Sequence, residues 1–338
     1  MKQETASINS LEAGQRMVAS KAKTPASRPL PPAREQVNGV LIVDKPEGIT
    51  SFSAAARVRR MLGQKKAGHC GALDPFATGV LVVCLNQATR IADHFLSQEK
   101  EYRFTVRFGV ETDTLDKTGQ VVRTWEGAPI AEETLMEGLE ALRKARSQRT
   151  PIYAAARVNG RRLYEYARRG EQVELPEREI TIHRLDLLSY QWPETEFVVC
   201  CSKGTYVRQL AADLGSALGC GAHVTRLRRL ASGQFRIEQA IPLTDVSGAE
   251  DFAERAMQGM ISMNDALAHL PAIAIEDRET LARLRNGGLD PEWERRCRDD
   301  LPPHPGPFRL TTPQSRLLAL WRPNPVPGQG RRLRLFNE

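Results

Sequence analysis

The chain has 338 residues, 41% of them hydrophobic, enough to bury one large core and a second, smaller one. Its formal charge of +7 points only mildly to an anionic partner. No apolar run reaches the roughly 18 residues that span a bilayer, and no short apolar signal segment opens the chain; no membrane association and a cytoplasmic location are expected.

Residues 1–36, rich in Ser, Ala, Lys and Pro, show neither helical nor strand periodicity and read as a disordered leader. Order is expected from Asn38. Val40–Val43 form a buried strand that runs into a Pro-Glu-Gly turn, and Thr50 or Ser51 caps a helix, "SFSAAARVRRML", that ends at Gly63. The stretch "GHCGALDPFATGVLVVC" (68–84) then holds a single carboxylate, Asp74, between Leu73 and Pro75 and among glycines at 68, 71 and 79. Pro75 biases Asp74 away from helical angles, and the glycines let backbone approach closely, so the side chain is pre-aimed. A turn or cap role is the bland alternative.

Downstream, "VLVVCL" (80–85) reads as a covered strand and "ATRIADHFL" as a helix. In "YRFTVRF" (102–108), Tyr102, Phe104, Val106 and Phe108 share one face of a half-buried strand. The acidic loop 111–120 lacks the spacing of a calcium site and reads as a turn. A helix over about 131–144, strands near 180–189 and 196–202, and a helical stripe of Val207, Leu210, Ala211 and Leu214 stopped by Gly219 follow. Residues 251–269 are expected to be a linker. A compact β-rich domain is expected over 270–338, with two short strands around its last Pro/Gly turn.

Two arginine clusters stand out. Residues 157–170 carry five arginines against one glutamate, and 223–236 carry four and no acid. Arginine interleaved with tyrosine and glycine suits phosphate contacts and base stacking; solvated helix faces are the plain alternative. The six cysteines, at 70, 84, 200, 201, 220 and 297, lack zinc-ligand spacing and read as reduced, buried thiols. With no Walker loop, dinucleotide fingerprint or nucleophile elbow, the chemistry expected is cofactor-free and led by a carboxylate, as nucleophile or base.

The segments "LIVDKPEGITS", "GHCGALDPFATGVL", "YRFTVRFGVETDTLDKTGQ", "GRRLYEYARRG", "CSKGTYVRQLAADLG" and "GAHVTRLRRL", in this order, resemble the bacterial TruB-type tRNA pseudouridine-55 synthases over residues 38–245. The resemblance implies an α+β pseudouridine synthase fold over 37–250, with a mixed, mainly antiparallel sheet flanked by helices. It also implies a small PUA-like RNA-binding domain over 270–338. The activity implied is isomerisation of uridine 55 in the tRNA T-loop by base flipping, without metal, redox or nucleotide cofactor. The partner implied is the T-arm stem-loop, with no obligate protein partner; a monomer is the default.

By the same resemblance Asp74 is the catalytic aspartate, Arg208 its paired arginine, and Tyr102 the tyrosine that stacks on the target base. Tyr206 and Leu227 match residues that line the uracil pocket, and His69 a histidine that stacks in the T-loop. Lys45 and Pro46 match a motif that buttresses the active-site loop. Residues 150–178 correspond to an insertion that closes over RNA; Arg157, Arg161 and Arg162 there are the expected RNA contacts, and the segment is expected to be mobile without RNA. Two positions depart from the pattern: Cys70 stands where the family usually has Thr, and Ala154 in "YAAAR" removes a hydroxyl. A non-catalytic RNA-binding or RNA-folding factor is the alternative from another class; a synthase guided by an RNA partner is a third reading.

Overall fold

The computed structural model describes residues 35–243, 248–301, 304–323 and 332–336. The expected leader lies outside them except for Glu35 and Gln36, as do most of the last Pro/Gly turn and residues 244–247. The main sheet has ten strands: β1 (Gly39–Lys45), β2 (Ala67–His69), β3 (Thr78–Leu85), β4 (Lys100–Phe108), β5 (Ile182–Gln191), β6 (Glu194–Cys201), β7 (Ala222–Ser232), β8 (Phe235–Arg236), β9 (Ile241–Pro242) and β10 (Ile261–Ser262). Its order is β5-β6-β4-β7-β3-β1-β9, with β8 beside β7, β2 beside β3 and β10 beside β1. Only the β7–β3 and β1–β9 pairs are parallel, so the sheet is mixed and mainly antiparallel.

The sequence explains which faces are covered. β1 and β3 are apolar almost throughout because both their faces are packed. Val40, Ile42, Val80 and Val82 face a cluster with Phe95, Met263 and Leu267. Leu41, Val43, Leu81 and Val83 face helices α1 (Ser51–Met61) and α4 (Ala249–Gln258). β4 alternates as expected, burying Phe104, Val106 and Phe108 against a core shared with α2 (Glu132–Arg143) and α3 (Val207–Ala217), while Arg103 and Arg107 are exposed. Thr50 caps α1 by accepting from the Ser53 N–H, and α3 gives way to Gly219, whose φ of +76° suits glycine.

Four expectations need correction. The stretch 251–269 is not a linker: α4 buries Phe252, Ala253 and Ala256 on α1, β10 pairs with β1, and Met263, Ala266 and Leu267 enter the core. The segment "ATRIADHFL" is not one helix but a 3-10 helix, Asn86–Ile91, followed by the single turn Asp93–Leu96. Most of the arginine cluster 223–236, given no secondary structure above, lies in the eleven-residue strand β7 at the centre of the sheet; register shifts between Val224 and Arg226 and between Arg229 and Ala231 break its period of two. All six cysteines are free as expected, but Cys200 and Cys297 are partly exposed.

The C-terminal region is a four-stranded sheet, β11 (Ala272–Ala274), β12 (Phe308–Thr311), β13 (Leu317–Trp321) and β14 (Leu333–Leu335), joined by α5 (Arg278–Arg285) and α6 (Pro291–Asp300). Trp321, fully buried beside Phe308 and Trp293, anchors it. Leu317, Leu320 and Phe336 pack into the same cluster as Phe95 and Leu270, which docks this sheet on the larger one.

Candidate active site

Asp74 sits on the loop between β2 and β3, and buried side chains from three other elements fix that loop. The Lys45 ammonium, at the end of β1, donates to the carbonyls of Pro46 (2.8 Å), Ile49 (2.8 Å) and Pro75 (3.3 Å). Its burial pulls the Lys45 pKa down to about 8, against the attraction of Asp74 and Glu47. The Ser51 hydroxyl, on the first residue of α1, accepts from the Leu73 N–H (2.7 Å) and donates to the Leu73 carbonyl (3.1 Å). Arg229, 1% exposed in β7, donates from Nε to the Val80 carbonyl (2.6 Å) and from Nη2 to the Gly71 carbonyl (3.1 Å). β7 approaches so closely that a Cβ on Gly79 would lie 2.2 Å from the Arg229 carbonyl, so only glycine fits there.

Arg208, in the first turn of α3, meets Asp74 with both arms of its fork: Nε to Oδ2 at 2.8 Å and Nη2 to Oδ1 at 3.2 Å. The same guanidinium donates to the carbonyls of Thr114 (2.8 Å) and Tyr153 (2.9 Å), and Asp116 Oδ2 lies 3.7 Å from Nε. Asp116 is itself held by the hydroxyls of Thr114 and Thr118 and by the Thr118 N–H. Arg208 is 3% exposed whereas Asp74 is 36% exposed. The arginine is therefore immobile and dry, and the carboxylate it orients faces the cleft.

That cleft, about 280 Å³, is lined by Asp74, Tyr102, Ala154, Tyr206, Arg208 and Leu227, with Lys100 and Lys203 among its basic groups. The phenols of Tyr102 and Tyr206 have pKa values raised, chiefly by burial. Aromatic and aliphatic walls over one fixed carboxylate suit a planar, extruded base. Ala154, the departure from the family pattern, is buried in this wall as a methyl group. Cys70, the other departure, has its sulfur 3.4 Å from that of Cys84, under the loop.

The structure thus brings together Asp74, Tyr102, Arg208, Tyr206 and Leu227, with Lys45 and Pro46 behind them. His69 does not line the cleft. It is half-buried at the end of β2, its Nδ1 makes no hydrogen bond, and burial beside Arg229 lowers its pKa. Arg157, Arg161 and Arg162 also lie outside, on a hairpin that pairs Arg157–Val158 with Arg161–Arg162 and leads into the helix Leu163–Arg169. Arg161 lies 4.2 Å from the ring centroid of Tyr166 and pairs with Glu171; Arg162 sits over Tyr164. Sequence reasoning missed Asp116, Ser51 and Arg229. The threonines flanking Asp116 were the available signal for the first. Among the described residues, no group of three or more His, Cys, Asp or Glu side chains could hold a metal ion.

A mixed sheet of this order carries a loop-borne aspartate, a paired arginine and an aromatic-walled cleft, and the sequence matches place the chain in the pseudouridine synthase class. A solved H/ACA RNP bound to a substrate RNA containing 2'-deoxyuridine is 26% identical, covering 83% of this chain and 77% of that one, with a TM-score of 0.59. A Cbf5-Nop10-Gar1 complex is 23% identical with a TM-score of 0.62, covers 94% and 91%, and shares the fold. Residues 59–207 match the TruB family pseudouridylate synthase N-terminal domain, and residues 208–268 the tRNA pseudouridylate synthase B C-terminal domain. The tRNA pseudouridine synthase B of Syntrophobacter fumaroxidans is 53% identical over 303 residues, 89% of this chain and 98% of that protein. That of Chromobacterium violaceum is 40% identical over 264 residues, 78% and 85%. The chain belongs to the TruB family of pseudouridylate synthases.

Proposed function

We propose that the protein isomerises uridine 55 to pseudouridine in the T-loop of tRNA, with Asp74 as the group that acts on the sugar. The observation that carries this reading is the two-armed Asp74–Arg208 pair at the base of a cleft walled by Tyr102, Tyr206 and Leu227. In the reaction the N1–C1′ bond of uridine breaks, the detached ring turns over, and C5 bonds to C1′. C5 then loses its proton and N1 regains one, so atoms balance without an added reagent. Asp74 serves as nucleophile at C1′ or as base on the sugar; both need a fixed, exposed carboxylate. Arg208 keeps that carboxylate aimed, since Nη1 and the second N–H of Nη2 donate to the Thr114 and Tyr153 carbonyls. Tyr102 stacks on the uracil, Tyr206 and Leu227 hold its other sides, and Lys45 and Pro46 support the loop.

His69, the exposed Arg157 and Arg162 and the partly exposed Arg161 meet the T-arm outside the cleft, where arginine supplies salt-sensitive phosphate contacts. The catalytic unit runs from residue 37 to about 267. The sheet beyond 270 is a PUA-like RNA-binding domain. The protein acts as a cytoplasmic monomer on the T-arm stem-loop without an obligate protein partner. The direct test is conversion of an unmodified T-arm hairpin by the purified chain, repeated with Asp74→Asn. Pseudouridine formation is expected to vanish in the variant while hairpin binding stays within about threefold, since the phosphate contacts are untouched. Normal conversion by Asp74→Asn would remove the role given to Asp74; binding without conversion by the wild type would make the protein an RNA-binding or RNA-folding factor.

A further inference from the structure

The insertion is closed at its base by a two-stranded ribbon, Ser147–Arg149 against Glu177–Glu179, in which Gln148 faces Arg178. Five of the six ribbon residues are exposed, but Gln148 is 4% exposed. Both ends of its carboxamide are used on one distant residue. The Tyr206 N–H donates to Gln148 Oε1 at 2.8 Å, and Gln148 Nε2 donates to the Tyr206 carbonyl at 3.1 Å.

Tyr206 is the N-cap residue of α3, and that helix has no side-chain cap of its own. By contrast, Thr50, Asp277 and Asp290 cap α1, α5 and α6. An uncapped helix start opens easily because its first N–H groups lack intrahelical partners. Here the first turn carries Arg208, and the Tyr206 ring forms a wall of the cleft. Glutamine suits this position because its carboxamide offers a donor and an acceptor side by side, where a carboxylate only accepts.

The geometry points to Gln148 as a positioning residue for the isomerisation: its two-way clamp on the Tyr206 main chain sets where the Arg208 guanidinium meets Asp74. This rests on the function proposed above. It also ties the insertion to the reacting pair, because Gln148 lies at the insertion's base.

The test uses the full chain and an unmodified tRNA transcript under single-turnover conditions. Gln148→Met keeps length and approximate volume but leaves the Tyr206 N–H unpaired and its carbonyl held by the Leu210 N–H alone. Its rate at saturating enzyme should fall about 30-fold, with the transcript Kd within about threefold of wild type. Gln148→Glu accepts from the Tyr206 N–H but turns a second lone pair on the Tyr206 carbonyl; protonation restores the donor. Charged and titratable groups near that site include Arg178 across the ribbon, Arg208 and the Tyr206 phenol at the start of α3, and Asp74 on the loop between β2 and β3. The deficit of Gln148→Glu should therefore narrow as pH falls from about 8 to about 5.5, where a carboxyl in a buried site gains its proton. The deficit of Gln148→Met relative to wild type should stay constant. A Gln148→Met rate within twofold of wild type, a loss confined to Kd, or a Gln148→Glu deficit that does not narrow with acid would overturn the assignment. Should Gln148→Met fail to fold by circular dichroism, the pH response of Gln148→Glu decides alone. A wild type that leaves the transcript's uridine intact would instead overturn the proposed function.

Discussion

The two arginine clusters are alike in composition but placed differently in the fold. In residues 157–170 the guanidinium groups of Arg161, Arg162 and Arg168 lie over tyrosine rings on a surface hairpin and short helix. In residues 223–236 the strand β7 turns Arg229 inward to tie two carbonyls beside the Asp74 loop and pairs Arg228 with Asp44. A charge count reads both as binding surface. Burial separates them, because an arginine enclosed among carbonyls acts as a bracket whereas one on a hairpin keeps its charge near solvent.

Substitutions sharpen this division. The largest effect is expected for the enclosed Arg208. Lysine cannot reproduce its two-armed grip on Asp74 while also reaching Thr114 and Tyr153, so Arg208→Lys should slow single turnover about 100-fold to 1,000-fold with little change in transcript affinity. Arg229→Met leaves the Val80 and Gly71 carbonyls unpaired; a rate loss of about tenfold is expected together with a drop of about 5 °C in melting temperature, read by calorimetry. The double variant Arg161→Gln, Arg162→Gln should behave in the opposite way. Its transcript Kd should weaken about tenfold near physiological salt, with a shallower dependence of log Kd on log salt, and its rate at saturation should be unchanged. The smallest effect belongs to Arg228→Gln, which removes a partly exposed ion pair with Asp44 worth about 0–1 kcal/mol; rate and affinity should both stay within twofold. A rate defect in the hairpin variant, or an affinity defect in Arg229→Met, would break the comparison.

Local signals made the catalytic half of this division readable from sequence. Glycines and Pro75 announced a constrained Asp74, alternation announced β4, and the apolar stripe of 207–214 announced the helix that carries Arg208. What stayed hidden depends on contacts between distant segments. Arg229 lies next to Leu230 in a strand whose bulges scramble alternation, so its inward direction is set by β3 and β4 rather than by its neighbours. Ser51 and Leu73, or Gln148 and Tyr206, are joined only after the sheet has formed. In the stretch 251–269 ten of the 19 residues are apolar, yet what they bury against lies far away in the chain. Pairing of β10 with β1 and packing of Phe252 on α1 decide its place.

The strand order also governs how the protein is made. β4 is flanked by β6 and β7, and the last residue of β7 is synthesised about 120 residues after β4, roughly 6–25 s later at ordinary translation rates. β1 waits longer still for β9 and β10. A nascent chain therefore leaves the ribosome with β1 and β3 paired but with one edge of β3 and both edges of β4 open, and a chaperone that shields them until β7 emerges should raise the yield of folded enzyme.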